Sequence, residues 1–273
     1  MANFECDQAE GLRRLLAGPR PRIVTFLSAA SVGEKSTMLV NLGASLSACG
    51  RNVVLLDACA SQHGIARRMG VDVPATLLDV SRQHRAFDQA VQIMPQGFQL
   101  ASLTAGSRRP MTTEVGEGRR LGNTFHVLAA QTDVILVDAE LDQHDNLPLP
   151  VMNNGEIVLQ VTPDAASIKE AYALIKRLYA QLGRRPFGIL VTGADEQEAE
   201  RVYQNIEKAA NRYLALQLFS IGSIPADEQV TRAARLGRAV IDAFPRAGAA
   251  TAFRRLAERF TMLDSTREIR VGV

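Results

Sequence analysis

Residues 28–37, which read SAASVGEKST, contain the residue types that a phosphate-binding loop requires. In such a loop, glycines let backbone N–H groups curl around phosphate groups, a lysine supplies positive charge, and a serine or threonine hydroxyl can coordinate Mg²⁺. Lys35 and Ser36 stand where that lysine and that hydroxyl belong. Of the glycine positions, Ala29 and Glu34 occupy the first and the last, and Gly33 is the one glycine in the loop. The position of the loop therefore predicts a phosphate site, although its composition fits incompletely.

Glu34 would place a carboxylate beside the expected position of a β-phosphate. Two like charges about 4 Å apart repel by roughly 4 kcal/mol at an effective dielectric constant of about 20. Such a repulsion corresponds to roughly a thousandfold loss of affinity. We expect an outward rotation of the Glu34 side chain to reduce this penalty.

Two aspartates end apolar segments that have the pattern of buried strands. Asp57 closes NVVLLD, and Asp138 closes TDVILVD. The carboxyl ends of parallel strands meet at one edge of a sheet, where ligands bind, and an aspartate there commonly assists Mg²⁺ binding. Alternatively, each aspartate only starts a loop or caps a helix. The nucleotide-site hypothesis assigns binding to Gly33, Lys35, Ser36, Thr37, Asp57 and Asp138, with Ser36 and Asp138 as the metal ligands.

From residue 22 onward, apolar segments alternate with segments of helical periodicity. The predicted strands are 22–28, 52–57, 98–103, 132–138, 156–161, 187–191 and 216–221. The predicted helices are 37–49, 164–182, 195–212, 227–236 and 247–262, and loops are predicted at 104–118 and 140–155. This alternation predicts an α/β fold with a single doubly wound, mostly parallel sheet and helices on both faces.

The first 21 residues are predicted to form a separate unit, a short helix followed by a linker. Asp7 can cap this helix, and Glu10 follows three residues later, as in a capping box. A helix this short is marginal alone, so its apolar face needs the main domain or a partner; that face consists of Leu12, Leu15 and Leu16. The predicted organisation is a unit of residues 1–21, a domain of residues 22–264 and a C-terminal tail of residues 265–273.

Composition and charge exclude several classes of protein. With 47% hydrophobic and 22% charged residues, the chain of 273 residues is not a disordered, coiled-coil or collagen-like polymer. A net charge of +2 gives no argument for a nucleic-acid partner. No apolar run is long enough for a transmembrane helix, and the N-terminus is unlike a signal peptide. Three unpatterned cysteines fit a reducing cytoplasm: Cys6, Cys49 and Cys59.

Several segments together resemble one known family. Residues 24–58, which hold the loop and Asp57, resemble the opening of the MinD/ParA-type ATPases. Residues 164–176, 221–227 and 239–245 narrow the resemblance to the flagellar-number regulators called FlhG or FleN, over about residues 22–262. The resemblance implies a MinD-like P-loop NTPase fold, ATP and Mg²⁺ as cofactors, dimerisation around ATP and reversible association with a membrane.

The heptad DQAEGLR at residues 7–13 is similar to the DQAxxLR element of the same family. In that family, a helix with this element stimulates the GTPase activity of FlhF, a GTPase of the signal-recognition-particle type. The resemblance therefore implies an FlhF-like GTPase as partner. The residues that match the partner-binding element are Asp7, Gln8, Ala9, Leu12 and Arg13.

The chain departs from the family pattern at three positions that serve ATP binding and hydrolysis in the family. Alanines at positions 29–30 stand where the family has its signature lysine. Cys59 replaces the second acid of the DxD motif, which orients the attacking water in the family. The segment AELD at residues 139–142 lacks the glycine of the turn that senses the γ-phosphate. We therefore expect ATP binding and hydrolysis to be weakened or lost, as in a pseudo-ATPase, and assign no catalytic residue.

The leading hypothesis is an FlhG-like regulator of flagellar number or placement that works mainly as a binding protein. The resemblance also allows as partners flagellar switch or transcription-regulator proteins, a second copy of the chain, and a membrane surface. The expected location is the cytoplasm, with peripheral contact at the cell pole or inner membrane, although the last helix is expected to pack on the core. The alternatives are a working MinD-like ATP-dependent dimerisation and membrane switch, and a ParA-like DNA-binding or polar-localisation factor.

Overall fold

The computed structural model describes residues 21–31, 33–59, 64–105 and 116–271, and the side chains of the last helix as far as residue 261. The strands are β1 (Arg22–Ser28), β2 (Val53–Ala58), β3 (Val91–Ile93), β4 (Gln99–Ser102), β5 (Val134–Ala139), β6 (Glu156–Val161), β7 (Phe187–Thr192) and β8 (Leu218–Ile224). They form one sheet in the order β3-β4-β2-β5-β1-β6-β7-β8. All neighbouring strands are parallel except β3 and β4, which pair antiparallel at one edge.

Helices cover both faces of this sheet. In chain order they are α1 (Glu34–Ala48), α2 (Ile65–Arg68), α3 (Leu77–Ser81), α4 (Glu117–Ala129), α5 (Ala165–Leu182), α6 (Glu196–Leu214), α7 (Glu228–Arg235), α8 (Val240–Ala243) and α9 (Gly248–Val271). One buried cluster joins the sheet to α3, α4, α5 and α6, and a second joins its other face to α1, α2, α7, α8 and α9. The predicted doubly wound, mostly parallel sheet is confirmed.

The centre of the sheet places the predicted site residues together. Strands β2, β5 and β1 are neighbours, so the segments that follow them leave the same edge of the sheet. In the register of β2 and β5, Asp57 lies beside Asp138, and Phe26 of β1 lies on the other side of Asp138. Strand pairing therefore brings both aspartates to the loop that precedes α1.

The buried side-chain amide of Asn41 connects α1 to the C-terminal part of the chain. The side chain of Asn41 donates a hydrogen bond to the carbonyl oxygen of Thr37 at 2.8 Å. Its Oδ1 accepts a hydrogen bond of 2.7 Å from the backbone N–H of Val240, at the start of α8. Buried polar groups in proteins are almost always hydrogen-bonded. This hydrogen bond therefore fixes α1 against the start of α8.

Helix α4 is the largest element that the sequence did not predict. Its first residues lie in the predicted loop at 104–118, and the remainder was unassigned. Charged residues and Gly122 obscure an apolar stripe with the spacing i, i+4, i+7, which packs against the sheet: Leu121, Phe125 and Leu128. The short helices α2, α3 and α8, the edge strand β3 and the 3₁₀ turn Pro150–Asn154 were not predicted either.

The ends of the chain differ from the predicted organisation in one respect. The last helix continues to Val271, so the predicted tail of residues 265–273 begins inside it. No glycine or proline interrupts residues 249–271, so the helix has no local reason to end earlier. The predicted N-terminal helix lies outside the described residues. None of the described helices combines the length and the apolar character that crossing a lipid bilayer demands.

Candidate functional site

The last residue of the phosphate loop before α1 is Gly33, and the helix begins only because this residue adopts a left-handed backbone conformation. Gly33 caps α1 with φ at 86°, in the left-handed region that favours glycine. Glu34, the first residue of the helix, is exposed, and its carboxylate accepts a hydrogen bond from Ser31 Oγ. Because this carboxylate is solvated and engaged by a hydroxyl, the electrostatic penalty expected from Glu34 is reduced by screening.

Lys35 makes its contacts with protein groups at the end of β5. Its Nζ lies 2.8 Å from Asp138 Oδ1 and donates a hydrogen bond to the carbonyl oxygen of Ala139. Lys35 is 8% exposed and Asp138 is 0% exposed, so the ion pair is buried. Ser36 Oγ donates to the second carboxylate oxygen, Oδ2, at 2.9 Å. Both oxygens of Asp138 are therefore engaged by neighbouring residues of the loop.

Cys59 completes this buried cluster. Its Sγ lies 3.3 Å from Asp138 Oδ1 and 3.9 Å from Lys35 Nζ. Burial raises the pKa of the Cys59 thiol, so the side chain is neutral. Burial alone would lower the pKa of Lys35, but the adjacent Asp138 carboxylate outweighs it and the pKa is raised. The cluster thus holds a charged lysine against the carboxylate of Asp138 and an uncharged thiol.

Asp57 is held by backbone groups on the other side of the cluster. Its Oδ1 accepts a hydrogen bond from the N–H of Cys59 at 3.2 Å, and its Oδ2 accepts one from Ala66 at 3.0 Å. Burial raises the pKa of Asp57 to about 6, despite these two hydrogen bonds. Gly64 approaches the carboxylate so closely that a Cβ atom there would lie 2.2 Å from Oδ1.

A Mg²⁺ ion does not fit the group formed by Asp57, Cys59 and Asp138. One ligand atom each from Asp57, Cys59 and Asp138 lies within 4.8 Å of the other two, which is the spacing of a metal site. However, Mg²⁺ prefers six oxygen ligands at 2.0–2.1 Å, whereas this group offers a neutral thiol. The cation beside Asp138 is Lys35 Nζ, which would have to leave before a metal could bind Oδ1.

Two cavities flank the phosphate loop and share Gly33. The smaller one, of about 230 Å³, lies beside Lys35, Cys59 and the segment after β5. The larger one, of about 450 Å³, opens on the other side of the loop. It is bordered by the ends of β6, β7 and β8, through residues that include Gln160, Thr192 and Ile224. A ligand in the larger cleft would meet the start of α1 without contacting the Lys35–Asp138 pair.

The structure brings together all six residues of the predicted nucleotide site. Gly33, Lys35, Ser36 and Thr37 lie along the loop and first turn of α1, and Asp57 and Asp138 lie beneath it. Thr37 Oγ1 donates to the carbonyl oxygen of Gly33 at 3.0 Å. The partner-binding residues Asp7, Gln8, Ala9, Leu12 and Arg13 lie outside the described residues.

Several residues of the larger cleft were missed by the sequence analysis. Gln160 accepts a hydrogen bond from Ser28 Oγ at 3.2 Å and donates one to Thr192 Oγ1 at 3.0 Å. Arg68 of α2 also lines this cleft, together with Asp227 at the start of α7. Gln160, Thr192 and Asp227 could have been found by the rule applied to Asp57, because each lies at or after the carboxyl end of a parallel strand. No sequence signal identified Arg68.

Comparison with known proteins gives a consistent result. Residues 30–240 match the CobQ/CobB/MinD/ParA nucleotide binding domain. The antiactivator FleN of Pseudomonas aeruginosa is 30% identical over 226 residues, which are 82% of this chain and 81% of that protein.

Solved structures agree on the fold. MinD of Pyrococcus horikoshii complexed with Mg-ADP has a TM-score of 0.66 and 20% identity, covering 89% of this chain and 97% of that one. The MinC:MinD complex of Aquifex aeolicus gives a TM-score of 0.66 and 20% identity, covering 88% and 95% of the respective chains.

Replacing Gly64 tests the contact with Asp57. The backbone of Gly64 has φ at −66°, which any residue adopts, so only the steric clash with the carboxylate opposes a side chain. We expect Gly64→Ala to lower the free energy of unfolding in urea by about 1–3 kcal/mol. Gly122→Ala is the matched control, because open space surrounds that position in α4 and alanine there should stabilise by about 0.5–1 kcal/mol. Equal effects at the two positions would contradict the close approach.

The raised pKa of Asp57 predicts a dependence of stability on pH. Between its ordinary pKa of 3.8 and the folded value of about 6, the folded protein holds a proton that the unfolded chain has released. Asp57 therefore contributes about 3 kcal/mol to the free energy of unfolding below about pH 4. This contribution is lost as the pH rises through 6.

Asp57→Asn lacks this titration, so wild type should lose about 3 kcal/mol relative to the variant between pH 4 and pH 7. Urea unfolding of both proteins in EDTA across this range measures the difference. A constant difference across the range would mean that Asp57 ionises normally in the folded protein.

Proposed function

We propose that this chain, which belongs to the CobQ/CobB/MinD/ParA nucleotide-binding family, is an FlhG-like regulator of flagellar number or placement whose main activity is binding a partner protein. The similarity to the antiactivator FleN over most of both chains supports the regulatory role. By the same likeness, a transcription activator is a candidate second partner. The MinD-like fold supports binding of a nucleotide beside α1.

The partner that we propose is an FlhF-like GTPase of the signal-recognition-particle type. The N-terminal element DQAEGLR would contact it through Gln8 and the neighbouring residues that match the family element. Strand β1 begins with Arg22, whereas Lys35 and Asp138 lie at the carboxyl edge of the sheet.

The ion pair between Lys35 and Asp138 is the observation that supports weakened ATP turnover. A lysine that neutralises Asp138 is not available to phosphates, and Asp138 is then not available to Mg²⁺. Cys59 adds no acid that could orient an attacking water molecule. The chain would then regulate its partner without a cycle of ATP hydrolysis.

The second candidate is a working MinD-like switch that dimerises with ATP and associates with a membrane. The contact between Ser36 Oγ and Asp138 favours it, because both candidate Mg²⁺ ligands remain together. In this alternative, Lys35 moves from Asp138 to the phosphates when Mg-ATP binds. ATP hydrolysis that disappears in Lys35→Met would identify the switch.

GTP hydrolysis by the FlhF-like GTPase of the same organism tests the proposed function. The full chain should raise the rate several-fold to the same extent with and without Mg-ATP. Gln8→Ala should remove most of this stimulation, because it deletes a polar contact of the binding element. Gln197→Ala is the matched control, since Gln197 is exposed on α6 of the folded domain.

Two results would overturn the proposal in different ways. If Gln8→Ala stimulates as strongly as wild type, the N-terminal element is not the activator. If stimulation requires ATP and fails in Lys35→Met, the chain is an ATP-dependent switch rather than a binding protein.

A further inference from the structure

We infer that Asp57, Cys59 and Asp138 form a binding site for a thiophilic divalent cation of the Zn²⁺ type. Among the residues that the structure describes, they are the one group of three or more histidine, cysteine or acidic side chains with the spacing of metal ligands. All three residues are buried, each at most 8% exposed. Zn²⁺ accepts cysteine sulfur together with aspartate oxygen, whereas Mg²⁺ prefers oxygen alone. The cysteine that makes the group unsuitable for Mg²⁺ therefore favours a softer metal.

Two neighbouring strands position the three ligands. Asp57 and Asp138 lie side by side in the register of β2 and β5. Cys59 follows Asp57 by two residues, the spacing at which side chains of an extended chain share a face. A tetrahedral metal with bonds of about 2.3 Å to sulfur and about 2.0 Å to oxygen requires about 3.5 Å between those two atoms. Cys59 Sγ and Asp138 Oδ1, which are 3.3 Å apart, already have nearly this separation.

The group already surrounds a cation, the ammonium group of Lys35. Nζ lies 2.8 Å from Asp138 Oδ1 and 3.9 Å from Cys59 Sγ. At neutral pH, the carboxylates of Asp57 and Asp138 and this ammonium group together carry a net charge of −1. Zn²⁺ with one thiolate adds a charge of +1, because a thiol that coordinates a metal is deprotonated. Metal binding therefore neutralises the buried group, which offsets the cost that burial imposes on the Cys59 thiolate.

Lys35 must leave Asp138 Oδ1 before the metal can bind there, and the smaller cavity gives the lysine room to move. This cavity of about 230 Å³ is lined by Lys35, Cys59 and Glu140. The carboxylate of Glu140 already interacts electrostatically with Lys35 and offers the ammonium group a second anion. Water from the same cavity would be the fourth metal ligand, as in zinc sites with an open position. The metal and Lys35 thus compete for Asp138, and a bound metal would release Lys35 from its ion pair.

Titration of the full chain with Co²⁺, a spectroscopic substitute for Zn²⁺, tests this inference. One equivalent should produce a thiolate-to-cobalt charge-transfer band and the visible bands of a tetrahedral site, and added Zn²⁺ should abolish both. Cys59→Ser should remove the charge-transfer band and weaken binding at least about tenfold, since even changes outside the ligand shell have effects of that size. Cys49→Ser is the matched control, because Cys49 is exposed and lies outside the group, so its spectrum should equal that of wild type.

Lys35→Met distinguishes a metal site from a cluster that only stabilises the fold. Removing the competing cation should raise the affinity for Co²⁺ about tenfold, an effect within the usual range of coupling between buried neighbours. Zn²⁺ should also raise the melting temperature of Lys35→Met more than that of wild type, because a metal that binds the folded state more tightly stabilises it more.

The inference is overturned if wild type shows no thiolate-to-cobalt band, if Cys59→Ser retains that band, or if Lys35→Met binds Co²⁺ no more tightly than wild type. If Lys35→Met does not fold without a metal, the comparison of Cys59→Ser with Cys49→Ser decides the question. Co²⁺ binding is measured without a partner protein or a nucleotide, so its failure leaves the test of GTPase stimulation intact.

Discussion

The buried ion pair between Lys35 and Asp138 determines what the rest of the site can do. A lysine at this position of the family fold is expected to contact phosphates, but here its Nζ neutralises the acid at the end of β5. The pair is compatible with Cys59, whose neutral thiol adds no further negative charge. Breaking a buried pair leaves an uncompensated charge, so a ligand must supply that energy before it can use either group. Regulation by partner binding alone does not require the Lys35–Asp138 ion pair to break.

Most of the fold could be predicted from the sequence because its strands are buried on both sides. Continuous apolar runs such as those of β2 and β5 leave little ambiguity, and their alternation with helices predicts parallel pairing. Helix α4 was missed because its apolar residues are sparse and separated by glycine and charged side chains. The antiparallel strand β3 has three residues, too few for a period-2 pattern. The last helix extends further than predicted because sequence periodicity weakens before the helical backbone ends.

The candidate site was predictable only where its residues belong to a known motif or end an apolar strand. Loop and strand patterns located Lys35, Ser36, Asp57 and Asp138, and strand register places Asp57 beside Asp138. Sequence could not indicate that Lys35 pairs with Asp138, because that depends on the side-chain conformation of a buried cluster. Arg68 belongs to a one-turn helix whose position over the loop follows from tertiary packing. The larger cleft likewise exists only because three strand ends converge beside α1.

A double-mutant cycle on Lys35→Met and Asp138→Asn, measured by urea unfolding, tests the central claim most directly. The account predicts a coupling free energy of about 2 kcal/mol or more, within the range for interacting buried groups, and no change of this coupling on adding Mg-ATP. The exposed pair Arg238–Asp242, with Nε and Oδ2 2.7 Å apart, is the control and should couple much more weakly, because solvent screens its charges. Effects of Lys35→Met and Asp138→Asn that add to within about 0.5 kcal/mol would show that Lys35 is free to serve a nucleotide, and would contradict the account.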